Sequence, residues 1–499
     1  MVDDSKRKEL TSYKINAKGL LATIRIVDVG GFVLAYEVDM QGLGEATTVF
    51  LLSLRQELLS LVPVDPSKVE DKTYERELTS KYTEAANLII NKYLPGTREE
   101  TRNMLIAFII NMMLGLGELE VPLADDGLEE IAINGSHDNI WVFHRQYGWC
   151  KTSLRISTEE FIYDDAEQIG RRVGRQINNL SPMMDAELSD GSRVNATLFP
   201  VSQTGNTITI RKFTKNPWTM PLLIQNNTIS PHVAALSWLC VQNEISMLIS
   251  GGTASGKTSF LNAMGVFLPP NRRVISVEET RELTLPSFLQ WLPMLTRQPN
   301  PEGKGAVSLY DLMINSLRQR PDILLVGEIR TKSDAETLFE AIHTGHAVYG
   351  TVHADSAEDT VIRMTNPPIS TPKILMTAIG AILTLFRHRR LGIRRVYEFG
   401  ELTQSGDVSV LERWDIRNDS FVKVSELNKL ANTIGMYTGY TMEEMSADLE
   451  QKSRILLWMV KNNIHTVDDA GYIIATYYKD QSKVLKAVED NAQYTKDLF

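Results

Sequence analysis

Apolar runs of the kind found in buried strands alternate with helical stretches through the middle of the chain. The runs SMLIS, RVISVEE, DILLVGE and AVYGTVHA are nearly continuous in apolar residues, and the sequence between them has apolar residues at helical spacing. Strands that are apolar on both faces are typical of a parallel sheet covered by helices on both sides. The pattern therefore predicts an α/β domain over residues 222–402.

The flanking regions follow other patterns. Before this domain, TVFLLSLRQELLSLV predicts a helix after short strands, and ETRNMLIAFIINMML predicts a buried helix. DAELSDGSRVNATLFP predicts two strands around an Asp-Gly turn, and NTITIRKF predicts an exposed strand. Inside the domain, the apolar run ILMTAIGAILTLF (374–386) is interpreted as another buried helix. Beyond residue 402, amphipathic helices predominate.

Proline marks one domain boundary. TKNPWTMP has two prolines in eight residues, which favours a linker. We predict a separate mixed α/β N-terminal domain and a helical C-terminal tail. The predicted divisions are an N-terminal extension or subdomain at 1–81, the N-terminal domain at 82–213, the linker at 214–221, the central domain at 222–402 and the tail at 403–499.

Composition limits the classes of function. A chain of 499 residues with 43% hydrophobic residues is long enough for about three folded units. The net charge of −10 argues against a nucleic-acid partner, which needs an excess of Lys and Arg on the binding surface. Two cysteines far apart indicate a reducing compartment. No apolar run reaches the roughly 20 residues that span a bilayer. We expect a cytoplasmic protein whose contact with a membrane is peripheral.

A glycine-rich loop follows the first apolar strand of the central domain. SMLISGGTASGKTSFLNAM contains a strand, then Gly251-x-x-x-x-Gly256-Lys257-Thr258, then a helix. In this context backbone N–H groups and a helix N-terminus bind phosphate. Lys257 is expected to reach the β- and γ-phosphates, and the Thr258 hydroxyl to bind Mg²⁺. The predicted nucleotide-binding residues are Gly251, Gly252, Thr253, Ala254, Ser255, Gly256, Lys257, Thr258 and Ser259.

Carboxylates end two other apolar strands. RQRPDILLVGEIR ends in Gly327-Glu328, with glycine where many P-loop enzymes have a metal-binding aspartate, and VISVEETREL contains Glu278-Glu279 at its strand end. The carboxyl ends of parallel strands meet at the ligand edge of a sheet. Glu328 is therefore the candidate for activating water. Glu278, as a metal ligand, and Glu279 are candidates for acting on Mg²⁺-bound water. Each could instead be an acidic residue at an ordinary strand end.

Three of the eight histidines lie in AIHTGHAVYGTVHADS. His343 and His346 have the spacing of metal ligands on one helix turn. However, Gly345 is expected to end that helix, and no cysteine or acid at ligand spacing completes the set. We therefore expect His353, at a strand end, to sense the γ-phosphate or to hold Glu328. His346 is expected to support the same network or the packing around it, and His343 to lie on the helix surface.

Four motifs follow one another along the chain: GGTASGKT, VEETREL, LRQRPDILLVGEIR and TGHAVYGTVHAD. Together they resemble the motifs of the secretion-superfamily ATPases, which serve type II secretion, type IV pili, archaella and type IV secretion. LSDGSRVNATLFP and ITIRKF are similar to the N-terminal domain of that family, so the resemblance covers about residues 85–402. GTASGKT and WLPMLTR look most like archaeal members. Glu279 departs from the family, which more often has aspartate there.

The resemblance implies a homohexameric ring. Each protomer would join its N-terminal domain by a flexible linker to a RecA-like ATPase domain, with ATP and Mg²⁺ held between the two. It also implies a basic residue that reaches the γ-phosphate from a neighbouring domain or protomer, and Arg193 and Arg211 match that position. A guanidinium suits this role because its planar fork spreads over phosphoryl oxygens. Either arginine could instead be salt-bridged within its strand. Other arginines near the motifs are candidates for the same interfaces: Arg297, Arg318, Arg320 and Arg330.

The implied function is a motor at the inner face of the cell membrane. It would pass motion to a polytopic membrane platform protein of a pilus, archaellum or secretion machine. Two alternatives stay open: a ring that translocates nucleic acid, as in conjugation-like type IV secretion, and a scaffold that binds ATP without turning it over. The arginine-rich segment RHRRLGIRR (387–395) is compatible with a subunit contact, a sheet edge, a membrane surface or another partner.

Overall fold

A computed structural model of the chain describes residues 7–40, 45–62, 72–188, 190–213, 216–299, 303–495 and 498–499. The chain forms two compact units, residues 1–214 and 215–499. The division between them falls at the start of the segment predicted as a linker.

The described residues of unit 1 form a nine-stranded sheet. Its strands are β1 (Lys8–Ala17), β2 (Leu20–Asp28), β3 (Leu34–Met40), β4 (Leu128–Asn134), β5 (Trp141–His144), β6 (Gly148–Thr152), β7 (Met183–Glu187), β8 (Arg193–Thr197) and β9 (Thr207–Arg211). They lie in the order β1-β2-β3-β6-β5-β4-β9-β8-β7. The strands around the Asp-Gly turn are confirmed as the antiparallel pair β7–β8. NTITIRKF was predicted as an exposed strand, but β9 pairs on both sides and buries Ile208 and Ile210 completely.

Helices pack against this sheet around a single core. They are α1 (Glu45–Ser53), α2 (Arg55–Leu61), α3 (Lys72–Tyr93), α4 (Glu99–Leu114), α5 (Glu120–Ala124) and α6 (Glu159–Arg172). α3 runs through the predicted boundary between residues 81 and 82, and β3 pairs in parallel with β6. Strands β1 to β3 therefore belong to the same sheet as the later strands of unit 1. Pairing between strands so far apart in sequence leaves no local signal.

Unit 2 is built on a second nine-stranded sheet in its described residues. Its strands are β10 (Met247–Gly251), β11 (Arg273–Glu278), β12 (Gln290–Leu295), β13 (Ile323–Val326), β14 (Ala347–Val352), β15 (Ala381–His388), β16 (Ile393–Leu402), β17 (Val408–Asp415) and β18 (Ser420–Lys423). The order is β12-β11-β13-β14-β10-β15-β16-β17-β18. The six strands β12, β11, β13, β14, β10 and β15, which are neighbours in this order, pair in parallel. The pairs from β15 to β18 are antiparallel. A parallel sheet with the glycine-rich loop on a central strand is the RecA-like arrangement.

The parallel strands bury their two faces in different cores. The helices of unit 2 are α7 (Met220–Gln225), α8 (Pro231–Gln242), α9 (Lys257–Met264), α10 (Leu309–Leu317), α11 (Lys332–His343), α12 (Ala357–Thr365), α13 (Lys429–Thr438), α14 (Met442–Lys461), α15 (Val467–Lys479) and α16 (Gln481–Glu489). Met247 and Ile249 of β10 lie in a core with α8 and α9, whereas Leu248 lies in a core with α10 and α11. Burial on both faces explains the continuous apolar runs of these strands.

One predicted helix is a strand. The apolar run at 374–386 forms a 3-10 turn, Lys373–Ala378, followed by β15. An apolar run buried on all sides has no periodicity that separates a helix from a strand. Here pairing of β15 with β10 decides the outcome. No helix in the described ranges combines the length and the hydropathy needed to cross a membrane.

The region beyond residue 402 is continuous with the central sheet. β17 and β18 extend the sheet past the predicted domain end. The helices that follow bury residues such as Ile434, Ile455 and Ile474 in the same core as β10 and α8. The C-terminal region is thus largely helical, as predicted, but it is part of unit 2 because its apolar faces complete the core of that unit.

Candidate nucleotide-binding site

The glycine-rich loop joins β10 to α9 at the carboxyl edge of the parallel strands. Gly251 has a φ of +153° and Gly256 a φ of +102°, conformations that favour glycine. A Cβ at Gly251 would lie 2.5 Å from the carbonyl oxygen of Leu385, so a larger residue would not fit. α9 begins at Lys257, directly after Gly256. The loop and the N-terminus of α9 thus have the form of an anion-binding cradle.

The ammonium group of Lys257 lies against the loop. Its Nζ donates to the carbonyl oxygens of Gly251 at 3.0 Å and Gly252 at 3.1 Å, and it lies 3.3 Å from Nδ1 of His353. Burial is the main cause that lowers the pKa of Lys257. Nearby carboxylates favour its charged form: Glu328, Asp355 and Glu282. Lys257 is therefore a cation held by neutral carbonyl oxygens, which a phosphate oxygen could replace.

Glu328 follows β13 and is held by an arginine. Nε and Nη2 of Arg330 donate to the two carboxylate oxygens of Glu328 at 2.8 and 3.0 Å. Nη1 of the same guanidinium donates to both oxygens of Glu279 at 2.7 and 2.8 Å. Burial favours the neutral form of Glu328, but Arg330, His353 and Lys257 together outweigh it and lower the pKa. Glu328 is therefore an ionised acceptor at neutral pH.

His353 follows β14 and connects the loop to Glu328. Its Nδ1 lies 3.3 Å from Nζ of Lys257, and its Nε2 lies 3.3 Å from Oε1 of Glu328. Burial, and then Lys257, lower the pKa of His353, so the ring is neutral at pH 7. Because an ammonium can only donate, Nδ1 is the acceptor and Nε2 carries the proton. The structure thus brings His353 to Glu328, and sensing of a γ-phosphate stays a prediction.

Glu278 ends β11 in a buried position, with 2% of the residue exposed. Its Oε1 accepts from the backbone N–H groups of Glu282 at 2.9 Å and Leu283 at 3.0 Å. Its Oε2 has no hydrogen-bond partner among the described residues. Burial raises the pKa of Glu278 to about 7. An unpartnered carboxylate oxygen at this edge fits the predicted role of a Mg²⁺ ligand.

The other two histidines of the block lie at the opposite end of β14. α11 ends at His343 and Gly345 has a φ of +98°, so the predicted helix stop is present. His346 Nδ1 lies 3.0 Å from Thr344 Oγ1 and from the Ala341 carbonyl oxygen. A strand of this length rises about 20 Å, so His346 is far from His353. The structure therefore does not place His346 in the nucleotide site of its own unit, because strand β14 separates the two residues.

Arg193 and Arg211 lie next to each other in unit 1. They pair directly across β8 and β9. Both are exposed, and Nη2 of Arg193 lies 3.6 Å from Oδ2 of Asp185. Guanidinium groups on the same face of opposite residues repel each other. The two arginines thus lie side by side on the N-terminal sheet, and their action on a γ-phosphate stays a prediction.

Three charged residues near the loop were not singled out in the sequence. Asp355 Oδ1 lies 2.9 Å from the position of a Cβ on Gly252, and Glu282 and Asp355 both interact with the charge of Lys257. Both acids come shortly after strand ends, so inspection of all charged residues at those ends would have found them. The third, Arg394, donates from Nε to the carbonyl oxygen of Ala254 at 3.1 Å. No sequence signal shows that its segment folds back onto the loop.

Comparison with known proteins identifies the class. Residues 122–396 match the family of type II/IV secretion system proteins. The match covers more than half of the chain and extends over parts of both units. The chain therefore belongs to this family, and the resemblance seen in its motifs is confirmed.

The chain is also similar to individual proteins. MJ0900, an uncharacterized protein of Methanocaldococcus jannaschii, is 33% identical over 392 residues, which cover 76% of this chain and 70% of that protein. A putative conjugal transfer protein of Mycobacterium tuberculosis is 29% identical over 317 residues, 60% of this chain and 89% of that protein. The solved structure of the Legionella pneumophila ATPase DotB is 19% identical, with a TM-score of 0.42, over 71% of this chain and 93% of DotB.

Proposed function

We propose that the protein hydrolyses ATP in a Mg²⁺-dependent reaction and that this powers a membrane-associated secretion, pilus or archaellum machine. The observation that carries the proposal is the contact chain from Lys257 through His353 to Glu328. It joins a phosphate-binding loop to an ionised carboxylate at one edge of the sheet. That combination of an anion cradle and an acceptor for a water proton is what phosphoryl transfer to water requires.

Each residue of the chain has a role in this proposal. Lys257 exchanges its bonds to the loop carbonyls for bonds to the β- and γ-phosphates. Glu328 accepts a hydrogen bond from the attacking water and orients it. Arg330 keeps Glu328 ionised and fixes the direction of its carboxylate through two hydrogen bonds. His353 connects the position of Lys257 to that of Glu328.

Mg²⁺ would arrive with the nucleotide. Within the described residues no group of three or more acidic, histidine or cysteine side chains forms a ready metal site. Mg²⁺ is commonly held by one or two protein ligands together with phosphate oxygens and water. The Thr258 hydroxyl, in the first turn of α9, and the unpartnered Oε2 of Glu278 would hold it here. When bound, the ion neutralises charge on the transferring phosphoryl group.

Membership of the family supports the further proposal of a hexameric ring. In such a ring Arg193 or Arg211 of a neighbouring protomer would reach the γ-phosphate and spread over its oxygens. The ring would pass the resulting motion to a polytopic platform protein at the cytoplasmic face of the membrane.

Two substitutions test the ATPase. Lys257→Ala should abolish phosphate release and Glu328→Gln should bind Mg-ATP but turn it over slowly, since the amide cannot accept a proton. Lys332→Ala and Glu336→Gln, exposed residues of α11, are matched controls and should keep the parental rate. Hydrolysis by Lys257→Ala at the parental rate would refute the site. A parent that binds ATP without any phosphate release would favour the scaffold alternative.

A conjugation-like role in nucleic-acid transfer is the second candidate. It is favoured by the Mycobacterium tuberculosis relative, whose name is putative conjugal transfer protein. Single- and double-stranded DNA should then stimulate ATP hydrolysis, and the stimulation should weaken with salt because phosphate contacts release counterions. If DNA has no effect and the cytoplasmic part of a platform protein stimulates hydrolysis, the result would favour the secretion or pilus motor over nucleic-acid transfer.

A further inference from the structure

The hairpin formed by β15 and β16 stands beside the glycine-rich loop. β15 is the parallel neighbour of β10, and the two are in register up to the pair Gly251 and Leu385. β10 ends there, but β15 continues to His388 before the chain returns as β16. The hairpin therefore extends past the sheet edge on which the loop lies. Its second strand brings Arg394 back level with the loop.

Arg394 lies across the outer side of the loop. Its Nε donates to the carbonyl oxygen of Ala254 at 3.1 Å, and its Cδ lies 3.7 Å from the position of a Cβ on Gly256. Ala254 has a φ of +57°. A residue with a side chain adopts that region only with outside support. The bond from Arg394 to the carbonyl oxygen of Ala254 supplies such support.

The contact also fixes the direction of an N–H group. In a trans peptide the C=O and the following N–H point in opposite directions. Because Arg394 holds the carbonyl of Ala254 outward, the N–H of Ser255 is turned inward. It forms a long bond of 3.3 Å to the Gly252 carbonyl oxygen. Such a long bond is easily exchanged for one to a phosphate oxygen.

We propose that Arg394 is a positioning residue for the nucleotide. It holds the Ala254–Ser255 peptide in the orientation that presents the Ser255 N–H to phosphate. The inference rests on the proposed function, since it assigns a part of the same nucleotide site. It also assigns a role to one member of the arginine-rich segment 387–395, because Arg394 contacts the glycine-rich loop of its own chain.

The base of the hairpin is rigid enough for this role. Arg395, the next residue, is buried and donates from Nε and Nη2 to the two oxygens of Asp419 at 2.7 and 2.8 Å. The indole of Trp414 donates to the same carboxylate at 2.9 Å. The backbone N–H of Val396 donates to the Thr228 carbonyl oxygen at 2.6 Å. These bonds fix the strand from which Arg394 reaches the loop.

The position of the contact predicts which kinetic constants change. Arg394 bonds to the loop, and the hydrogen bonds described for Glu328 and His353 do not include it. Loss of the bond should therefore weaken the binding of ADP and of ATP by the same factor, because both nucleotides place phosphates in the same loop. The KM for ATP should rise by the factor by which the affinity falls, whereas kcat at saturating ATP should stay close to the parental value.

The test compares three variants with the full-length parent. Arg394→Ala should raise the Kd for Mg-ADP and for a non-hydrolysable Mg-ATP analogue by about fivefold, the loss expected for one exposed hydrogen bond. Arg394→Lys should be weakened nearly as much, because an ammonium at the end of a flexible stem does not reproduce a donor at Nε. Arg390→Ala, in the exposed turn of the same hairpin, is the control and should bind as the parent does. The apo Tm of Arg394→Ala should fall by no more than about 2–4 °C, as expected for one hydrogen bond, and that of Arg390→Ala should equal the parental value.

Several results would overturn the inference. Affinity within twofold of the parent in Arg394→Ala, full affinity in Arg394→Lys, or an equal loss in Arg390→Ala would each do so. A loss of apo Tm in Arg394→Ala well beyond that of one hydrogen bond would make the residue merely structural. If the parent protein binds neither nucleotide, both this inference and the proposed ATPase activity would be refuted. Weaker binding in Arg394→Ala, together with normal hydrolysis by Lys257→Ala, would leave the inference standing and refute only the proposed catalytic site.

Discussion

Removal of Arg330 should change the pH dependence of ATP hydrolysis. Arg330→Gln loses the fork that binds both oxygens of Glu328 and the bonds to Glu279. Burial is then the main influence on the ionisation of Glu328, and burial favours the neutral carboxyl. The pKa of Glu328, which is lowered in the parent, should therefore rise in the variant.

The size of the shift follows from the exposure of the pair. A hydrogen bond to a charged group is worth about 1.5–3 kcal/mol. The Arg330 side chain is 52% exposed, so solvent screening reduces the energy of this interaction to the lower end of that range or below it. About 1.4 kcal/mol corresponds to one pKa unit. A reaction that needs ionised Glu328 loses rate as the pH falls through this pKa, so the acidic limb of kcat should move about one unit upward.

The assay is a pH–rate profile of phosphate release at saturating Mg-ATP, from acidic to neutral pH. Arg454→Gln is the control, since Arg454 is exposed on α14, and its acidic limb should coincide with that of the parent. An acidic limb in Arg330→Gln that stays in place or moves downward would refute the reasoning. In that case Glu328 would not be the group whose ionisation limits the rate.

Three further variants test other contacts. His353→Ala removes the link between Lys257 and Glu328. The kcat should then fall about tenfold with ATP affinity nearly unchanged, and an unchanged kcat would indicate that the ring only contributes to packing. Glu278→Gln should remove the contribution of this carboxyl to the pH dependence of stability. Its folded pKa of about 7 exceeds the ordinary 4.5, so the free energy of unfolding of the metal-free parent should fall by roughly 3 kcal/mol as the pH rises through that interval. Urea-unfolding profiles of parent and variant that run parallel with pH would contradict this. Lys452→Met leaves Asp448 buried without its cation and should cost about 3 kcal/mol in urea unfolding, whereas unchanged stability would mean that the buried pair contributes no net stability.

Local patterns predicted most of the parallel sheet and little of its extensions. The strand–loop–helix context of Gly251 and the strand ends at Glu278 and Glu328 depend on residues close in sequence. The helix predicted at 374–386 became β15, and β3 joined a sheet through β6. Both outcomes depend on pairing between distant segments. Hydrophobic periodicity records that a segment is buried, but not what it pairs with.

The candidate site shows the same limit. The positions of Lys257, Glu328 and His353 could be predicted because each follows a central strand of the sheet. The structure places His346 at the opposite end of β14 from His353, because the same motif spans both ends of one strand. Arg394 could not be placed from the sequence at all, since its contact with the loop depends on how far a hairpin extends past the sheet edge.

The charges around Lys257 connect nucleotide binding to the state of His353. Three acids and one base act on this lysine: Glu328, Asp355, Glu282 and Arg330. Such an excess of acid disfavours a polyphosphate unless its charge is neutralised, so the loop N–H groups, the α9 N-terminus and Mg²⁺ must act together. Lys257 is one of the causes that keep the pKa of His353 low. Once Lys257 pairs with phosphate, that influence weakens. On the proposed function, His353 would then hold a proton more readily beside the ionised Glu328, and occupancy of the loop would be transmitted to that carboxylate.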